Sequence, residues 1–217
     1  MKKLFTAIRK KDNETVKALI EKKPELVNCT AKQPPKKDDG QSPLQVALKS
    51  GNFEIAEYLI NNGADVNFIE DESCANDWHM PALHDAITAA VMCCRHNSRT
   101  EIGDKLFFEE YSSKEKADAA FAVLEHMLKA GASICARESF GTTCTGRLCK
   151  TAEEILPSYS YGEHRVSTNA VVTPEWKSDL GRIFLLLKYY GADFSNEIKH
   201  FAEEKDHPIT PFLDMVK

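Results

Sequence analysis

Three times in this chain an apolar helical stretch runs into the dipeptide Gly-Ala: "IAEYLINNGADVN" from Ile55, "VLEHMLKAGASIC" from Val123 and "IFLLLKYYGADFS" from Ile183. A first copy, "EKKPELVN", sets Pro24 and Leu26-Val27-Asn28 in the same place. A companion pattern precedes three of them. Leu44, Ala47 and Gly51 of "SPLQVALKSGN" recur as Leu83, Ala86 and Ala90 of "PALHDAITAA", and upstream as Leu4, Ala7 and Lys11 of "KLFTAIRKKDN". Each unit therefore reads as two short antiparallel helices. Ile55, Leu59 and Ile60 form the face that a second helix buries. The glycine stops that helix because the position just past its end often needs a positive φ, which a β-carbon resists. One such unit cannot cover its own apolar face, so several must stack.

The stretch "DGQSPLQVALKSGNFEIAEYLINNGADVN", Asp39 to Asn67, resembles an ankyrin repeat in nearly every fixed position of that family's pattern. Ser42 stands for the family's Thr, Gln45 for its His and Leu48 for its second Ala; the third unit keeps the His as His84 but has Pro81 where Thr belongs. The resemblance implies an all-α ankyrin-repeat solenoid over a single domain, residues 1–217. Its units span approximately 3–28, 39–67, 80–135 and 150–194, with "KTAEEIL" (Lys150 to Leu156) as the first half of the fourth. A capping helix from Asn196 to about Lys205 and an irregular tail close the chain, within 195–217.

An unbroken unit takes about 33 residues, and here the spacing is stretched. "TAKQPPKKDDG" and "FIEDESCANDWHM" lengthen two hairpin tips, and inserts at 93–116 and 157–178 separate the helices of units three and four. The inserts carry Phe107, Phe108, Tyr111, Tyr159, Tyr161 and Trp176. Two readings follow: these aromatics pack on one another or on the stack, or they add a binding surface.

Charge excludes little but points away from nucleic acid, since 28 Lys and Arg against 33 Asp and Glu leave no basic excess. "MKKLFTAIRKK" has basic residues at both ends of a very short apolar run, too short for a secretory leader, and no window has the length of a membrane span. Seven cysteines without a framework spacing suit reduced thiols. The expectation is a cytoplasmic chain, monomeric when free, with no catalytic residue, no metal and no cofactor.

The nearest approach to a metal cluster is "CCRH" (Cys93, Cys94, His96), with Cys144, Cys149, Cys74 and His79 as contributors. Zinc is usually held by paired C-x₂₋₄-C modules, which this chain lacks, and free cysteine is often simply buried. His84, by its place in the family pattern, is a structural group tying hairpin loops together. "EDE" (Glu70 to Glu72) and "KEK" (Lys114 to Lys116) read as solvated charge.

The family's variable, groove-facing positions map here to Arg9 and Lys10 in unit one, and to Asp38, Asp39, Gln41, Lys49 and Ser50 in unit two. In unit three they are Asp77, Trp78, Met80 and Thr88. Trp78 is either an anchor for a partner, a role in which Trp is enriched, or a ring folded back onto the loop around Cys74. Two functions follow. One is a non-catalytic module that binds a protein through groove and hairpin tips as adaptor, inhibitor or neutralising partner. The other is a metal- or thiol-dependent enzyme or sensor using the Cys/His-rich inserts, which predicts bound metal or a depressed thiol pKa near Cys93 and Cys94.

Overall fold

A computed structural model of the chain describes residues 1–33, 35–70, 77–103 and 105–217. They form two compact units, Met1–Ala89 with Ala119–Cys144, and Ala90–Asp118 with Thr145–Lys217. The fold is mostly helical.

Unit 1 holds α1 (Lys2–Lys10), α2 (Asn13–Lys22), a 3₁₀ turn (Pro24–Asn28), α3 (Pro43–Lys49), α4 (Phe53–Asn61) and most of α5 (Ala82–Met92) and α6 (Lys114–Lys129). Local chemistry fixes the helix starts. The Ser42 hydroxyl accepts from the Gln45 N–H, and the Gln45 side chain accepts from the Ser42 N–H, each at 3.2 Å, with Pro43 pre-set for the first turn. Asn52 caps α4 by accepting from the Ile55 N–H. Leu4, Ile8, Leu44, Ile55, Leu59, Leu83, Ile87 and Leu124 are shut off from solvent and make the core. Their spacing is the helical one read from the sequence.

Between α1 and α2 the turn residue Lys11 has φ 57°, and between α3 and α4 Gly51 has φ 62°. After α4 and α6, Gly63 and Gly131 take φ 83° and 91°. The chain leaving each of those glycines is gripped by an asparagine of the preceding repeat. Asn28 donates to the Gly63 carbonyl (3.0 Å) and accepts from the Asp65 N–H (2.8 Å). Asn67 donates to the Gly131 carbonyl (3.1 Å) and accepts from the Ser133 N–H (2.6 Å). The asparagine that ends "LVN" and "DVN" is thus a repeat-to-repeat clasp.

Unit 2 adds β1 (His96–Ile102) and β2 (Lys105–Tyr111), α7 (Cys144–Ile155), the short pair β3 (Tyr159–Ser160) and β4 (Arg165–Val166), α8 (Pro174–Tyr189), α9 (Ser195–His200) and α10 (Thr210–Asp214). Its core is aromatic: Phe184 stacks on Phe194 and on Phe212, each with centroids 5.7 Å apart, beside an inaccessible Trp176.

Four expectations change here. The chain is not wholly helical, because the 93–116 insert folds as an antiparallel hairpin with Ile102 opposite Lys105 and His96 opposite Tyr111. The first helix of the fourth repeat begins at Cys144, not Lys150, so "CTGRLC" is its opening turns, with Leu148 and Cys149 buried. The second insert ends before Pro174; Trp176 belongs to α8 and is core, its backbone N–H donating to the Thr173 hydroxyl. The tail is ordered: Ile209, Phe212, Leu213 and Val216 are all buried around α10.

Candidate functional site

The hairpin loops of unit 1 hold most of the nominated residues. The first loop is closed by paired bonds between Ala31 and the Gly40–Gln41 backbone (2.8 and 3.0 Å). In the second, Ile69 bridges Pro81, the Glu70 N–H donates to the Met80 carbonyl and the Ala82 N–H to the Phe68 carbonyl. The third turns on Glu138, whose buried carboxylate accepts from the Phe140 and Thr142 N–H groups, both at 2.8 Å. The Ser139 N–H donates to the Trp78 carbonyl at 3.0 Å, so the second and third loops are joined.

At that junction Trp78 meets Phe140 edge-on, with ring centroids 4.8 Å apart. Trp78 stays 43% exposed and Phe140 67% exposed. Such a geometry is the favourable one for two aromatic rings, and here it holds both outside the core. Asp77 beside them is exposed and Met80 is half-buried.

The second loop is also tied to a fixed charged cluster. Lys49 Nζ reaches Glu70 Oε1 at 2.9 Å and Asp85 Oδ1 at 3.5 Å. Gln45 Nε2 donates to Asp85 Oδ2 (2.9 Å) and to the Met80 carbonyl (2.8 Å). Gln41 Nε2 donates to Glu70 Oε1 (2.9 Å), and Glu70 Oε2 accepts from the Met80 N–H (3.1 Å). Glu70, Asp85, Gln41 and Gln45 are buried while Lys49 keeps one side in solvent. Burial, with the like charge of Glu70, pushes the Asp85 carboxyl up to about 7 even though Lys49 opposes it. Burial works against the Lys49 charge, but Asp85 and Glu70 hold its pKa above the ordinary value. One cation between two buried carboxylates sets the loop's shape as well as its charge.

The structure separates the nominated residues. Trp78, Asp77, Met80 and Lys49 gather at the second and third loops. Asp38 and Gln41 do not present a surface, being buried and committed to Arg9 and Glu70 respectively. Asp39 accepts from the backbone and side chain of Gln33, Ser50 caps α3 with its hydroxyl on the Ala47 carbonyl, and Lys10 is exposed on α1. Thr88 is half-buried along α5. Phe140 was missed by reasoning from the sequence, although "GTTCT" from Gly141 carries the Gly-x-Thr start of a hairpin tip. Gly141, at φ 85°, occupies the conformation that Gly40 has at φ 80°.

At Cys94 and Cys149 the thiols are not activated. Burial, then the nearby Asp179 carboxylate, drives the Cys94 thiol far above its ordinary range, and burial does the same to Cys149; a nucleophilic cysteine needs the opposite shift. Among the described residues no group of three or more His, Cys, Asp or Glu is placed to hold a metal ion. Cys74, with Asp71 and Glu72, lies outside them. His84 is fully buried. Among the described residues no helix is long and apolar enough to cross a membrane.

A family model for ankyrin repeats in three copies matches residues 4–113. Among solved structures the chain is similar to an ankyrin repeat domain from Acinetobacter baumannii, at 18% identity and a TM-score of 0.48, covering 98% of this chain and 96% of that one. It is also similar to a chain in the complex of a predatory endopeptidase from Bdellovibrio bacteriovorus with an immunity protein, at 19% identity and a TM-score of 0.45, covering 100% of this chain and 99% of that one. No curated protein matches significantly. The fold consists of helix pairs closed by left-handed glycines and joined by hairpin loops, and the family model covers residues 4–113, half of its length: the chain belongs to the ankyrin repeat family.

Proposed function

We propose that this protein is a non-catalytic module that binds one protein partner through the second and third hairpin loops of unit 1. The observation that carries the reading is the Trp78–Phe140 pair, two large rings held by backbone bonds from adjacent loops and left open to solvent. Trp and other aromatics dominate the residues whose truncation most weakens protein interfaces, because they remove much apolar area from water at little entropic cost. Asp77 precedes Trp78 in the second loop, and Lys49 is tied to that loop through Glu70, so polar groups of both signs belong to the same surface. A standard interface buries about 800 Å² per side, so the partner must cover the loops around the ring pair as well as the rings. Inhibition, adaptation and neutralisation are all roles for such a surface.

Tagged wild-type protein, Trp78→Ala and Phe140→Ala, each confirmed as folded by circular dichroism, serve as baits in lysate from the protein's own source. Lys49 is left intact because reversing its charge would set a third acid beside Glu70 and Asp85. A protein retained by the wild type and lost by both variants supports the reading. Equal retention by all three removes the hairpin loops from the interface.

A further inference from the structure

We propose that strand β2 is a self-pairing edge, through which two copies of this chain associate by antiparallel strand addition centred on Phe107. The inference stands apart from the loop surface of unit 1, for β1 and β2 belong wholly to unit 2.

The two-stranded sheet has two outer edges, and they are used differently. Along β1, the Arg99 N–H donates to the Asn169 carbonyl at 2.6 Å, while Asn97 exchanges bonds of 2.8 and 3.0 Å with the Val171 backbone. That edge is covered by the chain's own 169–171 segment. Among the described residues the edge of β2 carries no third strand, and every residue from Lys105 to Tyr111 is exposed. Leu106, Phe107 and Phe108 are each more than half exposed, and Ile102 opposite Lys105 is 63% exposed. A lone hairpin is marginal in water, and an open apolar edge is a template for another strand.

The backbone fixes which registers are possible. Residues of an antiparallel strand point their N–H and C=O alternately toward one neighbour and the other. Arg99 uses its N–H outward, and it lies opposite Phe108. Phe108, and with it Leu106 and Glu110, therefore turns its backbone groups to the open side. Two β2 strands can bond only where such residues oppose one another. The register centred on Phe107 sets Leu106 opposite Phe108 of the second copy and brings the two Phe107 rings together. It also sets Lys105 opposite Glu109 of that copy, at both ends of the pairing. The register centred on Phe108 pairs the two Phe108 residues but sets Leu106 against Glu110, Phe107 against Glu109 and Lys105 against Tyr111. Only the first matches apolar with apolar and charge with opposite charge, so the second copy is the occupant that this edge fits. This association departs from the monomer expected from the sequence.

Sedimentation equilibrium over a concentration series, on the full chain, tests it with a charge-reversal cycle. Wild type is expected to dimerise reversibly. Lys105→Glu and Glu109→Lys each place like charges opposite one another twice and weaken association about tenfold; the double variant Lys105→Glu, Glu109→Lys restores it. Phe108→Thr keeps strand propensity, removes the apolar contact and leaves monomer. A wild type that is monomeric at its highest soluble concentration overturns the proposal, and means that the three charges of β2 guard the edge instead of pairing across it. A dimer unmoved by these variants overturns it equally, as does a double variant no better than the singles. Circular dichroism of each variant separates loss of pairing from loss of fold.

Discussion

Asn67 spans from one repeat to the next, its amide donating to the Gly131 carbonyl and its oxygen accepting from the Ser133 N–H. Gly131 sits at φ 91°, so the chain there is held in a conformation that most residues avoid. Replacing Asn67 by Ala removes both bonds from an exposed edge and should cost about 1–2 kcal/mol. Gly131→Ala meets no steric obstacle, since no atom lies within 4 Å of an added β-carbon, and should cost about 1–2 kcal/mol from backbone strain alone. Urea denaturation followed by circular dichroism measures both. A neutral Asn67→Ala would remove the clasp from the account of how the repeats cohere.

The Asp85 carboxyl carries a pH signature. It titrates at about 7 in the folded chain because it is buried beside Glu70, and at about 4 when unfolded. Between those values the folded state holds the extra proton. The stability this group contributes is present below pH 4 and is lost as pH rises through 7. Asp85→Asn cannot lose that proton. Between pH 5 and 8 the variant should therefore gain about 2–3 kcal/mol on the wild type. Thermal melts of both proteins across that range check it, and parallel profiles would mean that Asp85 is ionised throughout.

In unit 2 the base of the hairpin is pinned to α8. Asp179 is buried and accepts three hydrogen bonds from Arg95, two from its guanidinium and one from its backbone N–H, at 2.8 to 3.1 Å. Burial opposes its charge, but Arg95 outweighs burial and holds the carboxyl below its usual range. Arg95→Ala leaves that charge buried, with Arg182 3.6 Å away as its nearest remaining cation, and should cost about 3 kcal/mol. Asp179→Asn keeps the shape and should cost less. Chemical denaturation ranks the two, and the reverse order would place the anchoring elsewhere.

Much of this fold was legible because its constraints are local. A left-handed glycine after an apolar helix, a Ser-Pro start with Gln45 three residues after Ser42, and an interior leucine at helical spacing are each written in a few neighbouring residues. The start of α7 was harder, since Thr145 stands where the other repeats have Leu4, Leu44 and Leu83. The hairpin signal was present in "EIGDKLFF", where the dipeptide Gly-Asp separates two strand-forming runs, although helical pattern flanks it on both sides. Ile209, Phe212, Leu213 and Val216 likewise follow helical spacing in a segment expected to be irregular. The site was less legible. Asp38 and Gln41 are polar, and only their partners Arg9 and Glu70 reveal that they are interior. Phe140 gains meaning only when the third loop is set against the second.

The most direct measurement is photocrosslinking from the aromatic pair. A benzophenone amino acid is placed at position 140, at 78 and, as a control, at Tyr189, which is 83% exposed in unit 2. Each protein is irradiated in its own cellular background, and adducts are identified by mass spectrometry. The account predicts a protein adduct of the same identity from positions 78 and 140 and none from 189. No adduct from the pair, or the same adduct from all three positions, would contradict it.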